Sequence, residues 1–311
     1  MQHIPSDTNM FKNSSQGTFG EQIKAISLND RYPAGAVLLG FGCDLGVKVA
    51  GELVGQSKAP SLIRQALGNI AYHSAFEAVY DAGDIICDEN DSLEEAQELL
   101  GKTVNSLRAQ GHFVLVLGGG NETAWGHYQG IKDIERLHLI NWGAHFDLDS
   151  GQPSSRTPFR QIFEDCETED KEFRYLCLGP QHIRNNQESF SKASELGVNY
   201  VEAEDEEKIG RVIKLLNINK AAHAYYISLC LDVFSNAVAP GVNASSPLGV
   251  RANIIFDGIR QLAASGKAKA FDVLEYNPSC DVSGRTAQLA AVCVAEFLRY
   301  WKPEFKPTIE A

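Results

Sequence analysis

The sequence predicts an α/β protein: a three-layer α/β/α sandwich built on a mostly parallel sheet. Two observations carry this. Short apolar or β-branched runs bounded by Gly, Asn or Asp recur along the chain, as buried strands do. Between them lie stretches whose apolar residues fall at helical spacing. Strand and helix alternate from end to end, so each strand feeds a crossover helix, and such units build a parallel sheet covered on both faces. The chain has 311 residues, 44% of them hydrophobic, which is ample material for that core.

The predicted strands are residues 36–41, 113–117, 138–142, 175–178, 198–201, 225–231 and 271–274. The first predicted helix, 62–70, has Leu62, Ile63, Ala66, Leu67 and Ile70 on one face. The second, 93–107, opens on Asp91-Ser92 with Glu94 and Glu95 in its first turn, a cap signal. Helices over 121–134, 204–216, 248–265 and 286–301 complete the set. Residues 149–158, rich in Ser, Gly and Pro, read as a loop between a strand and a helix, and such loops line the site in open α/β sheets. The expected organisation is a polar N-terminal segment (1–20), one domain (21–305) and a short tail (306–311).

Composition narrows the function classes. With 28 Lys and Arg against 40 Asp and Glu, the net charge is −12, which argues against nucleic acid or an anionic membrane as partner. No apolar run approaches the ~18 residues a spanning helix needs. The first twenty residues lack the apolar stretch of a secretory signal. Seven scattered cysteines, an odd number, read as reduced thiols, so the expected location is cytoplasmic.

Polar residues break off at the ends of several apolar strands. Gly118-Gly119-Gly120-Asn121-Glu122 follows 113–117; no Gly-Lys-Ser/Thr comes after it, so tight backbone packing is a better reading than a phosphate loop. His145-x-Asp147 follows 138–142, and Cys230-x-Asp232 closes 225–231. If these segments are extended, residues i and i+2 face one side, and two such pairs on neighbouring strands converge. An Asp after a buried run needs a partner or a cation. Glu275, after 271–274, is a fourth polar terminus.

Taken in order, these landmarks resemble the ureohydrolase (arginase, agmatinase, formimidoylglutamase) superfamily over roughly residues 34–300, and its formimidoylglutamase branch most closely. The resemblance rests on Gly40-Phe41-Gly42-Cys43-Asp44-x-Gly46-Val47, Asp81-Ala82-Gly83-Asp84, Glu122-Thr123-Ala124-Trp125-Gly126-His127, Thr157-Pro158-Phe159-Arg160, Ala239-Pro240-Gly241-Val242-Asn243-Ala244 and Glu275-x-Asn277-Pro278. It implies an arginase-like fold, an oligomer, and two Mn²⁺ ions bridged by a hydroxide that attacks a planar C–N carbon.

The sequence also departs from that pattern. The family's ligands come from Gly-Gly-x-His, Asp-Ala-His-x-Asp and Ser-x-Asp-x-Asp motifs. Asn121 stands where the first has His, Gly143 where the second has its leading Asp, and Cys230 where the third has its leading Asp; His145, Asp147 and Asp232 remain. The carboxylates missing at Gly143 and Cys230 are those that bridge the two ions, and a thiolate suits Mn²⁺ poorly. On the substrate side Ala50 and Leu53 replace the Asn and Arg of many formimidoylglutamases, and beside Ser154 and Ser155 an Arg156 replaces a small residue. The reading that follows is a protein without the binuclear cluster and without a metal cofactor, acting through its surface or a vestigial pocket, as a homo-oligomer or with active relatives. The alternative is a C–N hydrolase converting N-formimidoyl-L-glutamate to L-glutamate and formamide. In that case it works residually or with one divalent metal, Zn²⁺ or Mn²⁺, on Cys230, His145 and Asp232 with Asp147 nearby. In a third reading Cys230 is a nucleophile and His145 its base.

Overall fold

Ten strands form one sheet in the computed structural model, which describes residues 1–7, 11, 14–218 and 224–303. They are β1 (Gln2–Ile4), β2 (Lys24–Ala25), β3 (Ala36–Gly42), β4 (Val79–Ile86), β5 (Phe113–Leu117), β6 (Leu137–Trp142), β7 (Tyr175–Leu178), β8 (Asn199–Val201), β9 (Ala224–Cys230) and β10 (Ala268–Leu274). The order across the sheet is β1-β4-β3-β5-β10-β9-β6-β7-β8, with β2 added beside β4. Every pairing is parallel except β1 with β4. The helices are α1 (Phe19–Gln22), α2 (Leu45–Val49), α3 (Ala59–Gly68), α4 (Leu93–Ala109), α5 (Thr123–Gln129), α6 (Pro158–Thr168), α7 (Gln187–Glu195), α8 (Glu206–Ile218), α9 (Ala252–Ala264) and α10 (Arg285–Tyr300).

Alternation along the strands divides the core into two layers. Leu38, Leu115, Ile227 and Val273 pack with α3, α8, α9 and α10 on one face. Val37, Val116, Tyr226 and Leu274 pack with α4, α5, α6 and α7 on the other. The wholly buried β3 and β9 are apolar on both faces for this reason. Each fully buried Leu, Ile or Phe contributes about 1.5–3 kcal/mol. Ser92 caps α4 as its sequence predicts, accepting the Glu95 N–H at 3.2 Å. Ser92→Ala is expected to cost about 1 kcal/mol in urea unfolding with the slope unchanged.

The structure adds elements that the hydrophobic pattern does not give. β4 carries Asp81, Gly83 and Asp84, which break a strand signature. Arg64, buried on α3, resolves the conflict by pairing with Asp81 at 3.0 Å and Asp84 at 2.6 Å. Gly83 lies at φ +83°, where a Cβ would stand 2.1 Å from the Ile4 carbonyl, so β1 can approach only because this residue is glycine. Through that contact Gln2–Ile4, at the start of the polar segment 1–20, joins the sheet. The predicted tail, 306–311, lies outside the described residues. The predicted helix 121–134 is shorter, ending at Gln129.

Candidate active site

The sheet order sets four strands side by side, β5, β10, β9 and β6, and the carboxyl end of each delivers one or two of the candidate side chains. Past β5 comes Asn121, past β10 Glu275, at the end of β9 Cys230 with Asp232 just beyond it, and past β6 His145 and Asp147. The expected convergence is therefore real, but its cause differs from the expected one. Neither pair projects from an extended segment. Leu231–Val233 forms a single 3-10 turn, and Asp147 sits at φ 51°, in the left-handed region. Tight turns, not strand alternation, bring the side chains together.

Hydrogen bonds tie them to one another. His145 Nδ1 lies 2.7 Å from Asp232 Oδ2, and the other Asp232 oxygen accepts the Ala144 N–H at 2.9 Å. The Asn121 carboxamide donates to Asp147 Oδ2 at 2.9 Å and meets Cys230 Sγ at 3.7 Å. Glu275 accepts the Asn121 N–H at 2.7 Å and the Gln56 amide at 2.9 Å. Its own N–H donates to the Gly119 carbonyl at 2.9 Å. The glycine triplet thus braces Glu275, in line with the packing reading of that motif.

Burial governs the charges. It is the largest influence on His145 and opposes protonation, yet the Asp232 hydrogen bond and the charges of Asp232, Asp147 and Glu275 prevail, lifting the imidazole to about 9. Burial raises Asp147 to about 8, against the pull of His145 and with the help of Asp232. Glu275 likewise rises to about 8, from burial first and then Glu52 and Asp232. At Asp232 burial is again largest, but the His145 hydrogen bond and charge outweigh it and hold that carboxyl below its ordinary value. Burial, with Asp232, Glu275 and Asp147, pushes the Cys230 thiol well above its ordinary range.

These ends open into a cavity of about 690 Å³ that His145, Asp147, Asp232, Asn121 and Glu275 line but Cys230 does not. Cys230 is fully buried behind it. Among the described residues, the donor atoms of His145, Asp147, Cys230 and Asp232 supply no group of three within 4.8 Å of one another. Among the described residues the one such group is His182, Glu202 and Glu204, of which Glu202 is half-buried and the other two exposed. A three-ligand site on Cys230, His145 and Asp232 would therefore need these side chains to move. A nucleophilic Cys230 is disfavoured on two counts, its burial and its raised pKa, which leaves little thiolate.

The substrate-side positions divide. Arg156 reaches across the mouth to Glu52, with Nη2 2.8 Å and Nε 2.9 Å from one carboxylate oxygen. Ser155 adds a long contact to the same side chain at 3.5 Å, whereas Ser154 folds its own loop, its N–H donating to Thr157. Ala50 ends α2 and Leu53 is exposed, its carbonyl taken by Asn243 and Asn277, so neither faces the cavity. Sequence reasoning missed Glu52 and Gln56, which lie in the same loop as Ala50 and Leu53. It also missed Arg184 and Asn185 in the loop beyond β7, where loop position at a strand's carboxyl end was the available signal, and Lys192 on α7.

A parallel sheet with polar side chains gathered at the carboxyl ends of its central strands is the arrangement of an open α/β protein with its site at the strand ends. The model of the arginase family matches residues 34–299, and the chain belongs to that family. Formimidoylglutamase of Aeromonas salmonicida is 40% identical over 289 residues, spanning 90% of this chain and 91% of that one. In structure, formimidoylglutamase of Bacillus subtilis superposes with a TM-score of 0.80 at 22% identity, covering 93% and 92% of the two chains. Formiminoglutamase of Trypanosoma cruzi, solved with Mn²⁺, gives 0.76 at 25% identity, over 85% and 92%. No helix among the described residues is long and apolar enough to cross a membrane.

Proposed function

We propose that this chain is a member of the formimidoylglutamase branch that binds a small polar molecule in its cavity without dimetal hydrolysis. The observation that carries the reading is the donor set. Gly143 offers no side chain and Cys230 a buried, protonated thiol at the two positions where the family places its bridging carboxylates. The remaining donors are engaged by one another, His145 with Asp232 and Asp147 with the Asn121 amide. The residues present do not fit a binuclear manganese centre.

Elemental analysis tests this directly, after equilibrating the purified protein with Mn²⁺ and separately with Zn²⁺ and dialysing. The expected result is substoichiometric metal in both, with no hydrolysis of N-formimidoyl-L-glutamate above the protein-free rate. Two Mn²⁺ per chain with turnover would overturn it. The second reading, formimidoylglutamate hydrolysis, draws support from the 40% identity to a formimidoylglutamase across nearly the whole chain. It predicts metal uptake together with release of formamide. Assembly with itself or with active relatives belongs to the same proposal, and chain mass in solution is its measure.

A further inference from the structure

Two of the seven cysteines face each other at one corner of the sheet. β3 and β4 pair in parallel with Gly42 opposite Ile86. One residue further on, Cys43 stands opposite Cys87, and the Cys87 N–H donates to the Gly42 carbonyl at 3.2 Å. Both side chains enter the apolar layer that also takes Phe41 and Ile85, two residues back on each strand, so they share a face. Cys87 is close enough to act, with burial, on the Cys43 thiol and raise it above its ordinary range. Neighbouring strands lie about 4.7–4.9 Å apart, inside the ~4.4–6.8 Å between Cα atoms that a disulfide spans. Both residues come just after their strands end, where the backbone has room to adjust. Other thiols meet oxygen or nitrogen instead: Cys166 the Tyr128 hydroxyl, Cys177 the His145 carbonyl, Cys230 the Asn121 amide, Cys280 the Asn243 side chain.

We propose that Cys43 and Cys87 form a dithiol modification site, converted reversibly to a disulfide by hydroperoxides. Access sets the order of events, because Cys87 is half-buried and Cys43 buried. The Cys87 thiolate attacks one oxygen of hydrogen peroxide, the O–O bond breaks, and the other oxygen leaves as water after taking a proton. Cys87 is now a sulfenic acid. The Cys43 sulfur attacks Cys87 Sγ, and the sulfenic oxygen departs with the Cys43 proton as a second water. Two thiols and one peroxide thus give one disulfide and two waters, and an added dithiol reverses the change by exchange. Cys87 and burial keep Cys43 in its thiol form until then, so it is the half-buried Cys87 that meets peroxide first.

The bond forms beside a loop that supports the cavity. Asp44, next to Cys43, accepts the N–H groups of Gly55 at 2.9 Å and Ser57 at 3.1 Å. Gln56, between those two, holds Glu275 at 2.9 Å. Oxidation would tie this corner to the end of β4 and close a long chain loop.

The full chain is treated with hydrogen peroxide, then examined by thiol titration, intact mass and peptide mapping. The expected result is loss of two thiols per chain and of the mass of two hydrogen atoms, with the Cys43 peptide joined to the Cys87 peptide and both released by dithiothreitol. Closing so long a loop should raise the melting temperature by about 5 °C or more. Cys43→Ser should stop at a sulfenic acid on Cys87, trapped by dimedone, with no gain in melting temperature. If the treated wild-type chain carries no Cys43–Cys87 link, or if Cys87→Ser loses two thiols equally fast, the proposal is overturned. The wild-type map decides even where a variant fails to fold.

Discussion

A chain carrying Gly143→Asp and Cys230→Asp together is expected to bind manganese where the parent does not. The backbone admits the first change. Gly143 is outside the left-handed region, and a Cβ there would meet nothing closer than the Asn141 side chain at 3.0 Å and the His145 carbonyl at 3.4 Å. Asn141 needs to shift by a few tenths of an ångström. At Cys230 the new carboxylate falls beside the Asn121 amide, which already meets the thiol at 3.7 Å. Without metal the two added carboxylates crowd Asp147, Asp232 and Glu275, and burying charge of one sign costs about 3 kcal/mol or more. The metal-free double variant should therefore melt lower than the parent. A cation that binds only the folded chain then restores about 2.7 kcal/mol at 100 times its dissociation constant, a rise of roughly 5–10 °C for a chain of this size. Melting curves with and without MnCl₂ read both signs at once. A parent that gains equally from Mn²⁺, or a double variant indifferent to it, would show that these two positions do not decide metal binding.

The parallel sheet was legible because its central strands are buried on both faces and read as continuous apolar runs. β4 was not, since its carboxylates look like a loop until Arg64, distant in sequence, is seen to neutralise them. The polar helices α6 and α7 bury few residues each and leave a weak pattern. At the site, the identities of Asn121, His145, Asp147, Cys230, Asp232 and Glu275 and their convergence followed from motif order. Their mutual hydrogen bonds did not, because these depend on the turns at Leu231–Val233 and Asp147, which no period of apolar residues encodes. The Arg156–Glu52 pair was half legible: an unexpected Arg was visible, but its partner lies about a hundred residues earlier, on the opposite loop.

Arg64→Met is expected to be the most destabilising single change described for this fold. The guanidinium is buried and makes three contacts, to Asp81 at 3.0 Å, Asp84 at 2.6 Å and the Gly83 carbonyl at 2.9 Å. Methionine fills much of the space but leaves Asp81, equally buried, without its cation. Removing one member of a buried pair costs about 3–5 kcal/mol, because the other stays charged and desolvated. For a chain of this length that corresponds to a fall of roughly 5–15 °C in melting temperature. Adding Asp81→Asn should recover part of the loss, since a neutral amide no longer needs the cation, its oxygen can still accept the Gly83 N–H, and its NH2 can donate to the Ser6 hydroxyl, which turns to accept. The single and double variants therefore form a cycle: a double variant as unstable as the sum of its parts would mean that Arg64 acts by packing and not by charge. The effect also reaches the cavity. α3 follows directly on the Gln56–Lys58 turn, so a loosened α3 loosens Gln56, whose amide holds Glu275. A buried ion pair far from the polar strand ends in this way helps to fix the geometry of the group that closes them.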